Sequence, residues 1–165
     1  MAFVNEYIPE EDYEKYDLRR ICGEHNLPRR GIMHSQSWTI DRDREAFLIK
    51  TWSHHESRFE GCAFYWKGEW IFFEMAVKKA VDNLEEDSCW SLYHIRSFLI
   101  PPQLESKKDE VISDFREAYS AYAGGGVFGN RTHRSATIEF INEPTTFAAP
   151  SFFVQPSDAI KSIKE

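Results

Sequence analysis

Cys62-Ala63-Phe64-Tyr65-Trp66-Lys67-Gly68-Glu69-Trp70-Ile71-Phe72-Phe73-Glu74-Met75-Ala76-Val77 is the stretch that decides the fold. Two aromatic-rich runs flank Lys67-Gly68. A two-residue loop with glycine in second place is a hairpin signal, although asparagine or aspartate is the better first residue. Aromatic side chains suit a pleated, half-buried surface. Residues 62–66 and 69–77 are therefore expected to pair as antiparallel strands. Trp70 to Phe73 are apolar at successive positions, so the second strand is expected to be central and covered on both faces at its start.

The next segment, 75–86, carries two periods. Phe72, Ala76, Ala80 and Leu84 recur every four residues, as in a helix. Ile71, Phe73, Met75, Val77 and Val81 alternate, as in a strand. The alternation favours one long strand that turns through the acidic run 82–87. Residues 90–100 then return as a strand that Pro101-Pro102 ends.

A helix is expected over 107–122. Val111, Ile112, Phe115, Ala118, Tyr119 and Tyr122 form one apolar stripe at the helical period. Ser106 and Asp109 resemble a capping box, and Gly124 is the natural C-terminal cap. The stripe needs an apolar partner, and a sheet face supplies one. A strand at 135–141 follows, and the Phe-containing tail from Pro144 reads as extended chain.

Upstream, residues 37–40 and 46–52 read as strands around the turn Asp41-Arg42-Asp43-Arg44. Ser53 to Glu60 read as a longer polar connection, and 25–36 as loop. Residues 9–24 read as irregular helical turns, with Tyr13, Tyr16, Leu18 and Ile21 inward. The expected architecture is α+β: a mainly antiparallel sheet of about five or six strands, one long helix on a face, and short N-terminal helical turns on an edge or the other face. Its 165 residues suggest a single domain spanning 1–165.

A formal net charge of −7 argues against nonspecific nucleic-acid binding and against an anionic membrane surface, and would attract a basic protein partner. The cysteines are Cys22, Cys62 and Cys89; an odd number without C-x-x-C argues against a disulfide framework or zinc ribbon. No basic leader or apolar span is evident, so a cytoplasmic setting is expected.

Gly124 to Gly129 match G-x-G-x-x-G literally. A dinucleotide fingerprint needs a strand before and a helix after; here the order is reversed and no strand–helix–strand unit is expected. Arg131, His133 and Arg134 follow at once, and with the glycine backbone they could hold an anion or an acidic partner group. His54-His55-Glu56, with Glu60 nearby, is the dense histidine cluster, but it lacks metal-ligand spacing, and no metal or cofactor is expected. The cysteines sit among apolar residues as small hydrophobes. Glu69, Glu74 and Glu139 fall on expected strands without an evident catalytic partner.

Two functional readings remain. One is a non-enzymatic binding protein, inhibitor- or immunity-like in type, using the acidic runs 10–14 and 82–87 or outward-facing tryptophans among Trp38, Trp52, Trp66, Trp70 and Trp90. The other is a small-ligand protein or enzyme with a sheet–helix pocket served by histidines and the loop of Arg131, His133 and Arg134.

Overall fold

A computed structural model describes residues 2–18, 21, 37–54, 59–83, 85–86, 88–124 and 135–140. Seven strands form one sheet in chain order: β1 (Val4–Tyr7), β2 (Ser37–Asp41), β3 (Ala46–His54), β4 (Phe59–Trp66), β5 (Glu69–Asn83), β6 (Ser88–Leu99) and β7 (Ser135–Phe140). Every neighbouring pair is antiparallel except β6 and β7, which run parallel. The α+β class and the antiparallel bias hold. The count is seven, above the five or six expected.

The extra strand is β1. Its own positions are exposed or half-buried, so it carries no apolar alternation. What is buried flanks it: Phe3 and Ile8, each 5% exposed. Backbone pairing to β2, Val4 with Ile40 through Tyr7 with Ser37, holds it at the sheet edge.

The central hairpin forms as its sequence demands. Lys67 and Gly68 both have positive φ, 47° and 95°, the left-handed pair that matches the twist of the flanking strands. The ambiguous segment is strand, and β5 runs unbroken to Asn83. Register shifts leave Lys78 of β5 and Arg96 of β6 as extra residues. The Arg96 step lets Tyr93, Ile95 and Phe98 all join the same core.

Helical chain begins earlier than the sequence suggests. A 3₁₀ segment, Pro102–Lys107, leads into α2 (Lys108–Gly124). Pro102 ends the strand and also opens the helix, because its fixed φ suits a first helical turn. Val111, Phe115, Ala118 and Tyr119 are fully or almost fully enclosed against one sheet face. Phe115 stacks flat on Phe73, with centroids 3.8 Å apart. Rings of this kind stabilise by roughly 2–3 kcal/mol each on burial.

The helix packs on β7 at one edge and on β1, β2 and β3 toward the other, so the sheet curls around it. Polar ties fix its position. Asn5 Nδ2 donates to the Ala121 carbonyl at 2.8 Å. Trp66 Nε1 donates to Asp114 at 2.8 Å, and Arg44 pairs with Asp114 and Glu117. The unit β6–α2–β7 is a strand–helix–strand crossover, contrary to expectation. Parallel neighbours require such a crossover. Gly124 closes α2, so the glycine run falls at the helix-to-strand return, the opposite junction from a dinucleotide turn.

The other sheet face carries a second core. Short α1 (Asp12–Lys15) and the turns after it bring Tyr13 and Leu18 onto Trp38, Ile40, Phe47 and Ile49. The N-terminal helical turns thus cover the face opposite α2. Among the described residues, no helix is long and apolar enough to cross a membrane.

Candidate functional site

Two places gather polar and aromatic chemistry. The first lies on the α2 side. Ala46, Leu48 and Lys50 share one face of β3, and Glu60, Cys62, Phe64 and Trp66 share one face of β4. Alternation therefore points a lysine and a glutamate toward the helix. Lys50 Nζ lies 3.2 Å from Glu60 Oε1, and the Tyr119 hydroxyl donates to Glu60 Oε2. Burial works against the Lys50 charge, but Glu60 together with Tyr122 and Cys62 outweighs it, so the ammonium titrates above the ordinary lysine range. Burial pushes the Cys62 thiol and the Tyr119 phenol well up, and Glu60 adds to both. These groups satisfy one another. Cys62 stays a protonated thiol, which is a poor nucleophile.

The second place is a cleft of about 570 Å³ on the α1 side, within the size range of ligand sites. Tyr16, Trp38, Phe47 and Tyr65 line its floor, and Asp12, Lys15, Arg42, Glu45 and Lys67 line its rim. The rings brace each other. Phe47 stacks on Tyr65 at 5.0 Å, and Tyr16 meets Trp38, Phe47 and Tyr65 edge-on at 5.0 to 6.0 Å. Trp38 and Phe47 are buried, whereas Tyr16 and Tyr65 are half-buried and present surface to the cleft.

The cleft walls are held firmly. Its two hairpin turns are bonded together: Lys67 N–H donates to the Glu45 carbonyl at 2.9 Å, and Lys67 Nζ to the Arg44 carbonyl at 3.0 Å. Buried Asp41 accepts from the backbone of Asp43 and Arg44. The described non-glycine residues with left-handed backbone are Asp17, Glu45 and Lys67. Two of them line the cleft and the third follows α1. Such conformations cost about 1 kcal/mol or more each, and concentrate at binding sites.

The rim charges differ in how they are engaged. Arg42 is paired with Glu6, which also accepts from Trp38 Nε1. That hydrogen bond to Arg42 holds the Glu6 carboxyl below its ordinary range. Lys15 stands over the Tyr16 ring, 5.1 Å from its centroid. The carboxylates of Asp12 and Glu45 make no ion pair or hydrogen bond among the described residues.

The residues singled out from sequence fare differently. Arg131, His133, Arg134, His55 and Glu56 lie outside the described residues. Glu69 accepts from Gln103, Glu74 is buried 3.5 Å from Arg96, and Glu139 is exposed on β7, so these three carboxylates serve separate places. Among the described residues, no three His, Cys, Asp or Glu side chains group as a metal site. Trp38 lines the cleft and Trp70 packs against the same aromatic cluster, whereas Trp66 is enclosed on the α2 side. Lys50 was legible from strand parity, but Glu60 was not: it reads as the end of the 53–60 connection, whereas β3 runs to His54 and β4 begins at Phe59. The cleft was not legible either, because it joins residues 12–16, 38–47 and 65–68. No family model, curated protein or solved structure matches the chain.

Proposed function

We propose that this chain is a non-enzymatic binding protein that engages a basic protein partner through the aromatic cleft beside α1. The observation that carries the reading is an open, braced aromatic floor whose two rim carboxylates form no ion pair or hydrogen bond among the described residues. Aromatic anchors in a pocket with a polar rim are the usual centre of an interface. The surrounding acidity supports it: Glu10, Glu11, Asp12 and Glu14 cluster on and before α1, in a chain of net charge −7. A cytoplasmic setting goes with the reading, and Cys62 and Cys89 are both free thiols.

The alternative, a sheet–helix pocket, has less support. That interface is filled by Phe64, Phe73, Val111 and Phe115, all fully enclosed.

The test is affinity capture from the native host with wild type and a Tyr16→Ala, Tyr65→Ala variant. A stable complex is expected for wild type, with an association rate that falls as salt is added, and its loss is expected in the variant. A complex indifferent to both tyrosines would overturn the proposal.

A further inference from the structure

Resting on that reading, we infer that the group the cleft receives is the guanidinium of a partner arginine side chain, laid on the Tyr16 ring that Lys15 now covers, in the cleft that Asp12 and Glu45 line. Three observations on the two cleft walls converge on a cation.

The first is the state of the rim charges. Arg42 is neutralised by Glu6, and Lys67 is drawn back onto the Arg44 carbonyl and over the Trp66 ring at 5.3 Å. Asp12 and Glu45 form no ion pair within 4 Å among the described residues, and Asp12 feels Lys15 and Arg42 only at longer range. The second is the charge of the flanking chain. Residues 10–17 hold Glu10, Glu11, Asp12, Glu14 and Asp17 against Lys15 alone. Their summed field attracts positive charge toward the cleft mouth.

The third is what the free protein already places there. Lys15, an exposed side chain on a flexible stem, covers the Tyr16 ring. Arg42 lies 6.0 Å from the Trp38 ring. The electron-rich ring faces of this cleft are thus cation sites in the molecule's own hands. Lys15 acts as a placeholder that an incoming cation displaces. Arginine suits the exchange better than lysine. Its planar fork stacks on a ring while its edge donates to carboxylates, and it sheds water more readily than an ammonium.

The experiment titrates the intact protein with short uncharged-ended peptides carrying one arginine, one lysine, one citrulline or one glutamate. Tryptophan fluorescence and chemical-shift changes report binding. The arginine peptide is expected to bind saturably and more weakly as salt rises, lysine less well, and citrulline and glutamate not at all. Asp12→Asn with Glu45→Gln should weaken arginine binding about five-fold to ten-fold, as expected for two partly exposed charge contacts. Neither position forms an ion pair among the described residues, and both substitutions are isosteric, so these variants are expected to keep the fold. Lys15→Ala should strengthen arginine binding, because it removes the placeholder. An anion site would respond with the opposite sign to both changes.

Citrulline binding as well as arginine, or tighter binding of glutamate, would overturn the assignment. If host capture needs Tyr16 and Tyr65 but no arginine peptide binds, the cation assignment falls and the binding surface stands. If capture ignores both tyrosines, the binding-surface reading falls as well.

Discussion

The two faces of the sheet use similar residues to opposite ends. Under α2, a long helix closes over the strands, and the polar groups that alternation turns inward, Lys50, Glu60 and Tyr119, bond to one another with little solvent contact. On the other face, the four-residue α1 covers only part of the sheet among the described residues, and Asp12, Tyr16 and Tyr65 remain half-exposed. Complete cover makes a polar cluster structural, because every member must be satisfied within the protein. Partial cover leaves capacity for something else.

The contrast predicts where substitutions cost stability. The largest loss is expected for Phe115→Ala, which empties the centre of the α2 core. It should destabilise by about 3–5 kcal/mol in denaturant unfolding, against about 1 kcal/mol for Tyr65→Ala at the half-open face. Equal losses would mean that the α1 face is as much a core as the other.

Next comes Glu60→Ala. It strands the Lys50 ammonium and the Tyr119 hydroxyl under the helix, and should cost about 2 kcal/mol, below the range for a fully buried pair because both ions keep some solvent contact. Glu45→Gln in the same assay should change stability by no more than about 0.5 kcal/mol.

The smallest effect is in pH dependence, and its sign is fixed. Lys50, Cys62 and Tyr119 all have pKa values raised in the folded state. Stability associated with a raised pKa is fully present below the unfolded value and is lost as pH rises through the folded one. Unfolding free energy should therefore hold near neutrality. It should fall as pH climbs past the ordinary values of 9.0 for cysteine, 10.0 for tyrosine and 10.5 for lysine. Tyr119→Phe should flatten the slope in alkaline urea titrations. Glu6 has a lowered pKa and contributes in the other direction: its stabilisation is lost as pH falls through its folded value.

Much of this organisation was legible in the residue pattern, for physical reasons that also mark where legibility ends. The β4–β5 hairpin and the helical stripe at Val111 and Phe115 rest on local periodicity, and both stand as read. β1 escaped notice because backbone bonds to a distant strand, rather than an apolar pattern, hold it. Pro102 was read as a terminator when it is also a starter. The cleft escaped because its pieces converge only once the turns at 42–45 and 67–68 are stitched together. The loop of Arg131, His133 and Arg134 after Gly124 lies outside the described residues, whereas Asp12 and Glu45 line the cleft.

The parallel pairing of β7 with β6 has a consequence for assembly. β2 through β6 join by successive reversals, so each strand meets its neighbour soon after it appears in the chain. β7 starts at Ser135, long after β6 ends at Leu99, and reaches its place only after α2 has crossed the sheet. Closing so long a loop is slow, and β6 keeps one flank bare in the interval. Newly made chains are then most vulnerable to sticking to one another along that flank, and anything that hastens docking of α2 shortens the exposure.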